Sequence, residues 1–229
     1  MMKLLRLELR KFSLRWYFSS AIIATLSIIA MVALITYVES PSEVPLRNLE
    51  EAFIVIGAFV RATFVILAGV LTAKLIIEEY KNKTIFVLFT CPISRKRLIG
   101  VKLLLIAILT GVTVFVSNLF SALVVMLLNS YFHFFPGTPE EGFLLKQVLS
   151  MLTFSVATAG TSLIPLYFGL RKQSVPATIL SSILIVALIS SHNPAFSIAS
   201  IVYVPLALAV VGVLIAGWTI RNVEKADVC

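Results

Sequence analysis

The sequence predicts an all-α, polytopic membrane domain with six spanning helices and both termini on the cytoplasmic side. Three observations carry this. Of the 229 residues, 59% are hydrophobic and only 13% are charged, whereas a soluble domain carries charge near ~25%. Mean hydropathy is +1.03, so the surplus apolar surface calls for lipid as solvent. Apolar runs of spanning length, roughly 20 residues each, recur along the whole chain. Finally, 16 of the 19 Lys and Arg residues fall on one side of the resulting topology, the positive-inside asymmetry. This composition also excludes disorder, collagen and a disulfide scaffold.

The first run is Trp16–Val38 and the second Ala52–Ile77. The third, Leu98–Leu128, is long enough that part of it projects or tilts. The fourth is Phe143–Leu170, the fifth Val175–Ser191 and the sixth Ile198–Ile220. The loops between them are short, and no internal repeat is visible. Residues 1–229 therefore read as one transmembrane domain, with an interfacial helix at 1–15 and a charged connection at 78–97. The basic residues cluster before the first run (Lys3, Arg6, Arg10, Lys11, Arg15) and around the second-to-third connection. There stand Lys74, Lys81, Lys83, Arg95, Lys96, Arg97 and Lys102. Arg171, Lys172, Arg221 and Lys225 share that side. Net charge is +8, but without a basic domain outside the bilayer it is a topology signal, not a nucleic-acid footprint. The first apolar run is too long for a signal-peptide core and is not closed by a cleavage pattern. Cys91 and Cys229 fall on the reducing side, where a structural disulfide is not expected.

Two cytoplasmic segments stand out. On a helix through the N-terminus, Leu5, Leu9, Phe12 and Trp16 share a stripe, with Lys3, Arg6 and Arg10 roughly opposite. Such a helix lies in the interface with its cations at headgroups. The connection from Glu78 to Lys102 is the densest charged stretch. Cys91-Pro92 breaks the helix, Ser94 is placed to cap the next one, and Arg95, Lys96 and Arg97 occupy its first turn. That is the wrong sign for the helix dipole, so these charges serve topology, headgroups or a partner rather than helix stability.

At this connection the sequence resembles the type-2 ABC transporter permeases, the transmembrane subunits of ATP-driven exporters. The resemblance rests on Glu79-Tyr80-Lys81-Asn82-Lys83-Thr84, then Pro92-Ile93-Ser94-Arg95 and Lys102. Glu8-Leu9-Arg10-Lys11 ahead of the first run also fits. The six-span layout extends the likeness over the whole chain, whose size is similar to peptide, bacteriocin-immunity and multidrug exporters. The resemblance implies a coupling helix between spans two and three that docks on a separate cytosolic ATPase. Glu78, Glu79, Tyr80, Lys81, Thr84 and Arg95 are the contact candidates. It further implies two ATPase copies carrying ATP and Mg, a second permease copy or homologue, contact with membrane lipids, and a place in the plasma membrane. It also implies re-entrant helices before the last span. Only Ser191–Ser197 separates the last two runs, so His192-Asn193-Pro194 and Pro205 mark either a partial re-entrant turn within 192–205 or a simple loop.

The chain has no G-x-x-x-x-G-K-[ST] phosphate loop, so any ATP hydrolysis belongs to a partner. A membrane-embedded enzyme is the rival class, but His133 and His192 are far apart and no acid pair lies inside a run. A non-transporting assembly or sensor subunit with the same topology is the other alternative. Lys74 and Lys102, at run ends, read as snorkelling.

Arg61 is the one ionisable residue well inside a run, which makes it a functional candidate by default. It either attracts an anionic group or snorkels outward toward Glu50 and Glu51. The third and fourth runs hold most of the polar content. Asn118, Ser121 and Thr158 either glue helices together or line a polar path. Gly69 with Ala73, and Gly212 with Ala216, are spaced for close helix approach, and Pro165 and Pro205 for kinks.

Overall fold

The computed structural model describes residues 14–38, 49–81, 95–132, 142–172, 174–190, 192–193, 196–197 and 203–222. Helix α1 is Leu14–Val38. Helix α2, Leu49–Thr72, continues without a break through a π-turn, Ala73–Ile77, into α3, Glu78–Lys81. Helix α4, Arg95–Phe132, has 38 residues, about 57 Å at the α-helical rise, so it outreaches the ~30 Å hydrocarbon core as its length predicted. Helices α5, Phe143–Thr161, and α6, Pro165–Lys172, follow. Then come α7, Val175–Ser190, and α8, Tyr203–Asn222. Between the last two lies a minimal antiparallel pair, β1 His192–Asn193 and β2 Phe196–Ser197, in register His192↔Ser197 and Asn193↔Phe196.

Five of these helical stretches are long and apolar enough to cross a membrane. The expected fifth run falls short of that measure. Helix α7 has 16 residues, about 24 Å, so it spans only where the bilayer thins or polar ends reach inward. The described part of the last helix begins at Tyr203, and residues 198–202, where the expected run opens, lie outside the described residues. The described part of 192–205 is the β1–β2 pair and the first turn of α8, and residues 194–195 likewise lie outside the described residues.

The prolines divide. Pro165 opens α6 after a tight turn in which Leu163 N–H donates to the Gly160 carbonyl and Ile164 N–H to that of Thr161. These are i→i−3 bonds, the device by which a helix absorbs a residue with no N–H to give. Pro205 stands in the first turn of α8, where a missing N–H costs nothing, so it does not kink a helix interior. Gly142 precedes α5 with φ 92° and its carbonyl accepts from Lys146 N–H at 3.1 Å, a conformation that favours glycine.

Helix α2 is the centre of the bundle. It packs on α1, α4 and α7, while α5 packs on α4 and, over its widest contact, on α8. One apolar core joins α1, α2 and α4 through Val32, Phe53, Val60, Phe64 and Val114. A second gathers Tyr17, Leu71, Ile76, Ile99 and Ile106 at the other end of α2. The outside is as apolar as the inside: Ile23, Leu34, Leu127, Leu145, Val156, Leu184 and Leu214 are all exposed. In water such a surface would aggregate. In lipid it costs nothing, and the helices associate instead through close packing of small residues.

The glycines show where. A Cβ on Gly212 would overlap the Gly160 carbonyl oxygen, and one on Gly160 would stand 2.6 Å from the Ala209 Cβ. Hence α5 and α8 touch backbone to backbone. A Cβ on Gly69 would meet the Ser182 Cβ at 2.7 Å, so the same device seats α7 against α2.

Candidate functional site

Two constellations of polar side chains are built into the bundle. The first lies where α2 ends. The π-turn adds a residue to the helix, so Glu78 N–H reaches back five residues to the Ala73 carbonyl. Within the turn, the Leu75 carbonyl accepts a hydrogen bond from Lys102 Nζ of α4 at 3.0 Å. The same ammonium pairs with Glu79 Oε2 at 2.5 Å. Lys102 is 1% exposed and Glu79 13%. Lys102 therefore does not snorkel. It is drawn into the protein, where a backbone carbonyl and a carboxylate supply its acceptors. Taking two charges from water is costly, and such a pair holds only with good geometry and extra hydrogen bonds, both present here. The nearby Lys74 ammonium lies 3.5 Å from the Trp16 ring centroid, a cation–π contact that ties α1 to the same end of α2.

The second constellation lies in the other half of α2. Arg61 is 9% exposed, and its guanidinium carbon stands 4.2 Å from the centre of the Phe154 ring of α5. Arg61 Nη1 lies 3.3 Å, and Asn118 Oδ1 of α4 3.8 Å, from the point where a Cβ on Gly57 would stand. The side chain thus leans back one turn toward the Leu49 end, as helical side chains do, into room that glycine leaves. The guanidinium comes to rest on that aromatic face. Arg61, Thr158 and Thr161 line a cavity of about 300 Å³, closed by Val65, Val186 and Pro205 among others. A charge on an isolated spanning helix costs about 2.5–3.5 kcal/mol on insertion scales, while a desolvated cation–π contact returns about 2 kcal/mol. The Phe154 ring thus offsets a large part of the cost of that charge.

Elsewhere the polar content of the spans serves the helices that carry it. The hydroxyls of Thr110, Thr113, Ser155, Thr158, Thr161 and Ser162 each donate to a carbonyl three or four residues back. Among the described residues, Tyr17 Oη bonds with Thr113 Oγ1 and Thr25 Oγ1 donates to Ser117 Oγ, both at 2.9 Å and both joining α1 to α4.

The residues singled out in the sequence are placed as follows. Glu78 and Lys81 are exposed beyond the π-turn, and Glu79 turns inward to Lys102. Tyr80 continues α3 and Arg95 opens α4. Thr84, Ser94 and the rest of 82–94 lie outside the described residues, as does the N-terminal helix up to residue 13. Arg61 and Thr158 share the cavity, and Asn118 is across Gly57 from Arg61. Ser121, one turn further along α4, is fully buried and its Oγ has no hydrogen-bond partner. A buried hydroxyl without a partner is a liability. Ser121→Ala should accordingly leave stability unchanged or raise it by about 1 kcal/mol, read from thermal unfolding in detergent micelles. A loss above that size would mean the hydroxyl has a partner in the working protein. The residue that sequence reasoning missed is Lys102 as a buried anchor. Its one signal was the acid pair Glu78-Glu79 at the end of the preceding span.

A bundle of apolar helices with a lipid-facing outer surface and buried charges on its inner walls defines a multi-pass integral membrane protein. The family model of the ABC-2 family transporter proteins matches residues 4–188, and the chain belongs to that family. It is 47% identical over 227 residues to a Bacillus subtilis (strain 168) protein described as "Uncharacterized protein YcbO", the alignment covering 99% of this chain and 100% of that one. No solved structure matches the chain. It is thus an ABC-2 permease component, a multi-pass protein of the plasma membrane.

Proposed function

We propose that this chain is the permease subunit of an ATP-driven exporter, with six crossings, cytoplasmic termini, and a separate ATPase as its engine. Two permease subunits and two ATPase subunits, the latter carrying ATP and Mg, would make the transporter, with a peptide, lipid-like or drug-like substrate passing between the permeases. The observation that carries the reading, within the family, is the Lys102–Glu79–Leu75 anchor. It fastens the end of α2 to the start of α4, the two helices that flank the charged connection. A push delivered to that connection is then shared by two spans at once, as rigid-body rocking requires.

Exposure supports some of the contact candidates over others. Glu79 is committed to Lys102, whereas Glu78 and Lys81 point outward. With an ATPase subunit co-expressed, the wild-type permease should purify as a stoichiometric complex. Glu78→Lys with Lys81→Glu should insert and fold normally yet bind that subunit about tenfold or more weakly, since like charges set face to face are costly. A charge-reversed permease that keeps full affinity and full stimulation of ATP hydrolysis would overturn the docking assignment. An isolated permease with activity independent of any ATPase would overturn the exporter reading.

A further inference from the structure

We infer that the Arg61 cavity is a binding site for the anionic head of an amphiphile, a phosphate or carboxylate carried on an apolar body. Three observations converge on it. The first is charge. A guanidinium cannot shed its proton, and among the described residues no carboxylate forms an ion pair with Arg61. Its neighbours are the Phe154 ring and the region of Asn118.

The second is the hydrogen-bond inventory of the cavity wall. Thr158 and Thr161 give their protons to the carbonyls of Phe154 and Thr158. Their oxygens face a ligand only as acceptors. Arg61 is therefore the donor that the lining offers, and a forked cationic donor in an apolar pocket selects an oxyanion. The threonine oxygens suit a hydroxyl or amide N–H next to that anion. The remaining wall is aliphatic, which suits an acyl or other apolar body.

The third is depth. The cavity takes Ile189 from the last turn of α7 and Pro205 from the first turn of α8. It also takes Val55 through Val65 from the half of α2 remote from Lys102. These helix ends stand at the end of the bundle opposite the Lys102 anchor, which the proposed topology turns toward the outer leaflet. An amphiphile entering from that leaflet would bring its head to the level of Arg61. A volume of about 300 Å³ holds a head and the first part of a chain, not a whole lipid, so the tail extends along the bundle into the bilayer.

The same head chemistry comes either from an anionic phospholipid of the bilayer or from a transported amphiphile. The inference rests on the permease reading only for that choice, because binding itself needs no ATPase. The test uses the full chain purified in neutral detergent, with dioleoyl phosphatidylglycerol, dodecyl phosphate and dioleoyl phosphatidylcholine as probes, followed by thermal unfolding and native mass spectrometry. Phosphatidylglycerol or dodecyl phosphate should raise the melting temperature saturably at one molecule per chain, and phosphatidylcholine should not. Arg61→Gln should weaken that binding about tenfold or more, Arg61→Lys less, and Lys146→Gln, an exposed cation elsewhere, not at all. Should Arg61→Gln fold poorly, Ala58→Phe fills the cavity with Arg61 intact and should block binding equally.

Retention of phosphatidylglycerol through purification assigns the site to a resident lipid. Saturable binding of dodecyl phosphate with no retained phospholipid assigns it to a transported amphiphile. Equal binding by Arg61→Gln and wild type, or by phosphatidylcholine and phosphatidylglycerol, would overturn the inference. Failure of the chain to form a complex with a co-expressed ATPase subunit, with amphiphile binding intact, would count against the permease reading alone.

Discussion

Lys102→Met should destabilise the protein by about 3–5 kcal/mol, the cost of leaving one member of a buried pair without the other. Glu79 would keep its carboxylate at 13% exposure without the ammonium beside it, and the Leu75 carbonyl would lose its donor. Glu79→Gln should cost less, because an amide still accepts from Lys102 but brings no charge. The double replacement Lys102→Met with Glu79→Leu should recover most of the loss, since an apolar pair of similar volume often replaces a buried ion pair at little cost. Reversible unfolding in mixed micelles of the wild type, Lys102→Met, Glu79→Leu and their double variant closes a double-mutant cycle and measures the coupling directly. A coupling below about 0.5 kcal/mol would show that the two side chains act independently and that α2 and α4 are held together by apolar contacts alone.

Gly212→Leu should be at least as damaging, at about 3 kcal/mol or more, and should reduce the amount of folded protein in the membrane. The added atoms meet the carbonyl of Gly160, which is backbone and cannot rotate away. Helices α5 and α8 must then separate along their whole contact. Even Gly212→Ala adds the offending Cβ, so it should cost more than any helix propensity it gains. Gly217 lies on the same helix, is exposed, and a Cβ there meets nothing within 4 Å. Gly217→Leu should therefore be tolerated, and Gly217→Ala should stabilise by about 0.5–1 kcal/mol as a relief of helix-interior glycine. Equal sensitivity at 212 and 217 would mean that glycine serves flexibility in α8 rather than helix approach.

Much of this architecture was legible in the sequence because lipid imposes a simple rule: hydropathy gives the spans and basic residues give the sides. The four-residue spacing at Gly69 and Gly212 pointed to close approach, and Pro165 to a break. What stayed hidden was partnership. Nothing local in the sequence says that Gly212 meets Gly160 or that Gly69 meets Ser182, since those pairs form only when helices distant in the chain are stacked. Lys102 was misread for a related reason. At the end of an apolar run a lysine can always reach water, and only the placement of Glu79, twenty-three residues earlier, removes that option. The Ala73–Ile77 run is indistinguishable from ordinary helix by composition, so its π-turn had no signature. Arg61 was recognisable by residue type, but the cavity beside it depends on four helices and on the bareness of Gly57.

The π-turn also acts as a change of phase. Each residue advances an α-helix by about 100°, so the extra residue held in Ala73–Ile77 offsets everything after it by roughly that angle relative to an unbroken helix. Upstream, α2 turns Phe64, Ala68, Leu71 and Thr72 inward; downstream, Glu78 and Lys81 are exposed while Glu79 meets Lys102. An α2 relaxed to uninterrupted α geometry would swing Glu79 off its partner and bring a different side of α3 to the surface. The same few residues thus set which face of the helix end is presented outward, and a single insertion or deletion there would re-aim it without altering one apolar contact upstream.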